Sequence, residues 1–170
     1  MQERYGAPVA GAEKEVLAGY MDHYRRTIVE ICSGLGDDDL RRVVVPSGNS
    51  LLGLVKHLAL VERWWFQEHV ANDPSAHYEW DPKDPNADFR IEPHETTQQI
   101  LDMYEESCEL SRRIIEAASL DDPIERPERR QDYNVRWVLV NMIVETARHC
   151  GHADIMRELI DGHTGTGYDL

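Results

Sequence analysis

Apolar residues recur at helical spacing in four long stretches of the chain, and polar segments rich in Pro, Gly and Asp separate them. From Ala12 to Leu35, the residues Leu17, Tyr20, Tyr24, Thr27 or Ile28, Ile31 and Leu35 fall three or four apart, which predicts one face of a first helix over 12–35. Gly34 and Gly36 end it, and the aspartates of "GLGDDDL" face water. The connector "RRVVVPSGNS" has room for a brief extended piece at Val43 to Val45. Ser50 suits an N-cap, since its hydroxyl can accept from a free backbone N–H of the first turn. It opens a second helix over 51–72 with the stripe Leu54, Leu58, Val61 and Trp65, and His57 sits beside that stripe. A third helix over 95–120 carries Leu101, Tyr104, Cys108, Ser111, Ile115 and Ala118 on its face. Asn134 caps a fourth over 135–161, which Gly162 closes, and residues 163–170 form a loose tail.

The segments between these helices show no strand pattern. "DPSAHYEWDPKDPNADFRIEP" holds four prolines and no helical period. A loop of that length inside a compact domain is functional or crosses the end of the fold. "DDPIERPERRQDY" reads as a second loop. Four striped helices without strands predict a single all-α domain over 1–170, a four-helix bundle. The long crossover between helices two and three allows those two to run parallel.

Composition narrows the partners. With 170 residues and 41% hydrophobic content, the chain is long enough to bury a core without staples. Its net charge of −14 repels phosphate backbones and anionic lipids, so neither nucleic acid nor a membrane surface is expected as a partner. No apolar run reaches membrane-spanning length, and the first residues have no signal-peptide core. Three widely spaced cysteines, Cys32, Cys108 and Cys150, read as reduced thiols of a cytoplasmic protein.

The fourth helix carries the chemistry. Its inward stripe reads Val135, Val138, Met142, Glu145, His149, His152, Met156 and Leu159, apolar at both ends and titratable in the middle. A carboxylate buried there without a partner is costly. One divalent cation compensates the lone pairs together, and residues four apart on a helix can share it. A third ligand must come from another helix, and His57, on an otherwise apolar surface, is the best candidate. Two histidines and a carboxylate leave coordination positions open, the pattern of a catalytic site. The plainer alternative is an ordinary Glu145–His149 pair with His152 at a wet edge. His23, His69, His77, His94 and His163 read as solvated or at element ends, Trp64 and Trp65 as core or interface anchors, and Cys150 as packing.

"PSGNSLLGLVKHLALVERWWF", followed far downstream by "ETARHCGHADIMRELIDG", resembles the DinB-like superfamily of bacterial bundles, which includes the mycothiol-dependent maleylpyruvate isomerases and related thiol transferases. The resemblance covers about residues 13 to 165. It implies an up-down-down-up bundle and a divalent metal, zinc or nickel, on positions matching His57, Glu145 and His149. Many relatives carry His where this chain has Glu145. His152 is then a fourth ligand or a substrate-side acid or base. The implied activity is transfer of a low-molecular-weight thiol, of mycothiol or bacillithiol type, to a small electrophile, with His77, Trp80 and Asp81 of the long loop and Trp64 lining the cavity. A homodimer is expected, since many members form one. Two other functions remain open: a thiol-dependent isomerase, or a non-enzymatic metal-binding stress-response module. The isomerases carry a further C-terminal domain, whereas this chain ends just after the fourth helix.

Overall fold

The computed structural model describes residues 6–124 and 133–165. Among the described residues the α-helices are α1 (Glu13–Cys32), the short α2 (Asp37–Arg41), α3 (Leu51–Glu62), α4 (Thr97–Ala117) and α5 (Val135–Asp161). Local chemistry sets the helix starts. Ser50 Oγ accepts from the Gly53 N–H at 3.1 Å, Asn134 Oδ1 accepts from the Trp137 N–H at 2.9 Å, and Thr96 with Gln99 forms a capping box at α4. Gly162, in the left-handed region at φ 76°, stops α5.

Side-chain contacts fix the direction of each helix. Arg136 meets Glu13, Cys150 meets the Tyr24 carbonyl and Arg157 reaches the Ile31 carbonyl, so α1 and α5 run parallel. Lys14 donates to the carbonyls of Glu116 and Ala118, while Thr97 meets Asp37, so α4 runs opposite to α1. Lys56 of α3 pairs with Glu95, just before α4, at 2.8 Å. Further along α3, Glu62 meets Arg25, which shares Asp22 with Arg112 of α4. Helices α3 and α4 are therefore parallel, and the four long helices form an up-down-down-up bundle.

Several expectations need correction. The first helix ends at Cys32 rather than residue 35, and Asp37–Arg41 is a separate helix. Tyr20 is exposed, and Met21 and Arg25 take the inward positions of α1. The second helix is α-helical only to Glu62 and continues as a π-helix over Arg63–Val70, whose wider turns put both Trp65 and Phe66 in the core. No strand forms at Val43 to Val45. The pairing that does occur joins β1 (Pro123–Ile124) to β2 (Tyr133–Asn134), antiparallel, at the base of α5. On α5, Leu159 and His152 face outward. A stripe drawn at heptad spacing drifts about 20° per heptad on a straight helix, so its far end leaves the core. The tail expected to be loose lies partly outside the described residues, as does most of the second loop.

Arginine and glutamate form a buried ion pair in the core. Arg25 donates to both oxygens of Glu62 at 2.7 Å, and the two side chains are only 2% and 1% exposed. The bidentate geometry and the further bond from Arg25 to Asp22 at 2.9 Å satisfy both charges. Breaking such a pair from one side strands the other charge. Glu62→Ala is expected to lower stability by about 3–5 kcal/mol, read from the midpoint of chemical denaturation. A loss no larger than that of an exposed pair would show that Arg25 relaxes to water.

Candidate metal centre

Two helices and one loop build the site. Helix α3 contributes His57, one turn after Gly53. A Cβ on Gly53 would stand 2.5 Å from the Phe89 carbonyl oxygen, so the glycine lets the Ala87–Phe89 turn lie directly on α3. Lys56 anchors the same loop, donating to the Arg90 carbonyl at 2.7 Å. The result places Asp88 and Phe89 on either side of the His57 ring. His57 Nδ1–H donates to Asp88 Oδ2 at 2.6 Å, and the Phe89 ring stacks on the imidazole with centroids 4.1 Å apart. Both His57 and Asp88 are buried.

Helix α5 presents Glu145 and His149, four residues apart on one face. Glu145 Oε1 lies 3.0 Å from His149 Nε2 and 3.3 Å from His57 Nε2, so one carboxylate oxygen is shared by histidines of two helices. Ligand atoms of His57, Glu145 and His149 all lie within 4.8 Å of one another, the group among the described residues that could hold a metal ion. The outcome for the expected site residues is mixed. His57, Glu145 and His149 come together, and His152 stays at the edge, exposed, with its ring 5.5 Å from that of His149. Trp64 packs on Trp65 and on His69, which lies in the last turn of the π-helix. His77 pairs with Glu68 at 2.8 Å on the surface, and Trp80 is exposed.

The electrostatics favour a cation. Hydrogen bonds from His149 and then His57 hold the Glu145 carboxyl well below the ordinary carboxylate range, against the opposing effect of burial. Burial disfavours a charged His57, but the Asp88 and Glu145 bonds outweigh it and raise its pKa. With Nδ1–H directed at Asp88, a neutral His57 would aim a lone pair at the Glu145 carboxylate. A proton on Nε2 relieves that repulsion, and a divalent ion would do so for all three side chains. The donor set fits such an ion. Glu145 Oε1 already bridges the two imidazoles at 3.0 and 3.3 Å, and two imidazole nitrogens with one carboxylate are donors that suit a divalent ion such as zinc. His149 Nδ1 is buried with no hydrogen-bond partner among the described residues. Burial first, then His149 and Arg148, lower the pKa of His152.

Asp88 and Phe89 were not anticipated. Their only signal was the length of the loop that holds them, because an Asp in a polar stretch gives no hint of burial.

Comparisons with known proteins bear on the family and the fold. The family model described as Mycothiol-S-transferase matches residues 16–162, and the chain belongs to that DinB-like family. No curated protein matches the chain. Among solved structures, a conserved protein from Enterococcus faecalis is similar, with a TM-score of 0.65 and 16% identity over 91% of this chain and 100% of its own. That likeness speaks for the fold alone.

The Asp88 bond fixes the His57 tautomer and points Nε2 inward. Asp88→Asn is therefore expected to weaken zinc binding by about 10–100-fold, measured by competition with a chromophoric chelator. Unchanged affinity would mean that Phe89 and the helix orient His57 without the carboxylate.

Proposed function

We propose that the protein is a metal-dependent S-transferase that joins a low-molecular-weight thiol to a small electrophile. The observation that carries the reading is a three-donor group, His57, Glu145 and His149, with His152 exposed beside it and outside it, in a chain of the mycothiol S-transferase family. A structural site closes its metal with a fourth protein ligand, whereas a catalytic one keeps a position free. His152 lies outside the three-donor group, which favours the acid or base role over that of a fourth ligand.

His57, Glu145 and His149 hold the ion, zinc or nickel, with Asp88 and Phe89 keeping the His57 ring in place. A divalent cation at such a site acidifies a thiol, which then loses its proton near neutral pH without a protein cysteine as nucleophile. The chain's own cysteines do not compete: Cys32, Cys108 and Cys150 are buried, and burial pushes the Cys32 and Cys108 thiols up to about 12. The sulfur of the small thiol forms the new bond to the electrophilic carbon, the leaving group departs with its electron pair, and His152 accepts the thiol proton. Mycothiol or bacillithiol is the thiol of this reading. The protein acts in the cytoplasm, where such thiols are kept reduced, as a homodimer.

Metal-loaded protein is expected to conjugate mycothiol or bacillithiol to one or more of a panel of electrophiles such as a bimane, followed by mass spectrometry of the product. His152→Ala is expected to lower kcat by about 100-fold with metal content unchanged. Failure of the loaded wild type with both thiols would withdraw the transferase reading and leave a metal-binding module.

A further inference from the structure

A cleft of about 340 Å³ opens beside the metal centre, between the connector that leads into α3 and the Ala87–Phe89 turn. That volume falls within the roughly 300–1,000 Å³ of small-molecule sites. The connector contributes Ser47 and Asn49 to the lining, the turn contributes Asn86 and Phe89, and Arg41 and Arg90 stand beside them. Both walls are pinned. Gly48, in the left-handed region at φ 86°, donates to the Val45 carbonyl at 3.1 Å, and the Phe89 N–H donates to the Asn86 carbonyl at 3.1 Å. Lys56 donates to the Arg90 carbonyl and Arg41 to the Glu95 carbonyl, each at 2.7 Å.

Chemistry and position define what the cleft can hold. Among the described residues, no hydrogen bond engages the side chains of Ser47, Asn49 or Asn86, so each keeps its donors and acceptors for a ligand. The two cations are already matched. Arg41 pairs with Asp37 at 3.0 Å, and Arg90 pairs with Asp84 at 2.7 Å and with Glu92 at 3.0 Å. Two arginines beside three carboxylates, in a chain of charge −14, leave no attraction for a further anion. Neutral hydroxyl groups, which both donate and accept, suit the amides and the serine. The Phe89 ring offers an apolar surface to the C–H face of a saturated ring. The same Phe89 ring lies 4.1 Å from that of His57 and 5.9 Å from that of His149, centroid to centroid, so one side chain borders both the cleft and the metal centre. Ser50, also in the lining, precedes His57 by seven residues on the helix, about 10 Å.

We propose that this cleft holds the neutral, polyhydroxylated body of the thiol co-substrate, while its sulfur arm passes the Phe89 ring to reach the ion. The role given to the sulfur rests on the transferase reading, whereas the fit of the body rests on the cleft. The two thiols then separate. Mycothiol carries an uncharged glycoside of inositol. Bacillithiol ends in malate, a dianion that would meet Asp37, Asp84 and Glu92. The cleft selects the first, with Asn49 and Asn86 bonding its hydroxyls from opposite walls.

Calorimetric titration of the full chain, without metal, with N-acetylglucosaminyl-inositol tests it, since this probe is the same body without the sulfur. The wild type should bind the probe, and malate at equal concentration should not displace it. Asn49→Ala combined with Asn86→Ala should weaken binding by about 10-fold, with helical content and metal uptake kept. The KM for mycothiol in conjugation should rise by a similar factor. No binding to the wild type, unchanged affinity in the double variant, or displacement by malate overturns the proposal. Conjugation of free cysteine to a bimane by the metal-loaded chain reads the transfer chemistry apart from the cleft. A chain that conjugates cysteine but binds no probe loses this proposal alone. A chain that binds the probe but conjugates neither cysteine nor mycothiol loses the transferase reading, and the co-substrate role of the cleft with it.

Discussion

One carboxylate oxygen shared between histidines of two helices is the constraint around which the site is organised. Glu145 Oε1 is within hydrogen-bond distance of His149 on its own helix and of His57 across the bundle. Two carboxyls, Glu145 and Asp88, flank His57, and a positive charge on or beside the imidazole offsets them. A proton on Nε2 or a divalent ion held by the three side chains would each supply it. The rest of the fold can be seen as what brings α3 and α5 to this separation. Gly53 admits the Asp88–Phe89 turn, Lys56 ties the loop down, and the parallel run of α1 and α5 places Glu145 at the level of His57.

The buried Arg25–Glu62 pair does a related task elsewhere in the core. It joins α1 to α3 beside Asp22 and Arg112, so three of the four long helices meet through charges rather than through apolar contacts alone. A pair that is bidentate and fully bonded adds little net stability over apolar packing. It does fix which residues face one another, which a uniform leucine interface would leave freer.

The helices and the three clustered donors were legible because they obey local rules. Apolar spacing located all four long helices, caps at Ser50 and Asn134 located two of their starts, and a Glu–His pair in mid-stripe stood out against its apolar ends. Extrapolation along α5 failed for a geometric reason. An alternating three-and-four stripe follows 3.5 residues per turn, the helix has 3.6, and over 24 residues the difference carries Leu159 and His152 out of the core. Burial of charge was also invisible. Arg25 and Asp88 sit in stretches whose polarity suggests water, and only the tertiary partners Glu62 and His57 explain them. The π-helical turn through Trp64 and Trp65 likewise depends on packing against Tyr133 and Trp137, far away in sequence.

The central claim is that His57 and His149, on different helices, hold one metal ion through a shared carboxylate. Elemental mass spectrometry of untagged protein tests it most directly, with the wild type measured beside His57→Ala and His149→Ala after equal exposure to zinc and nickel. The account predicts roughly one ion per chain in the wild type and loss of most of it in both variants, since each removes a ligand. An ion retained in either variant, or a wild type that stays empty after loading, would contradict it and leave Glu145 as the centre of a protonated hydrogen-bond network.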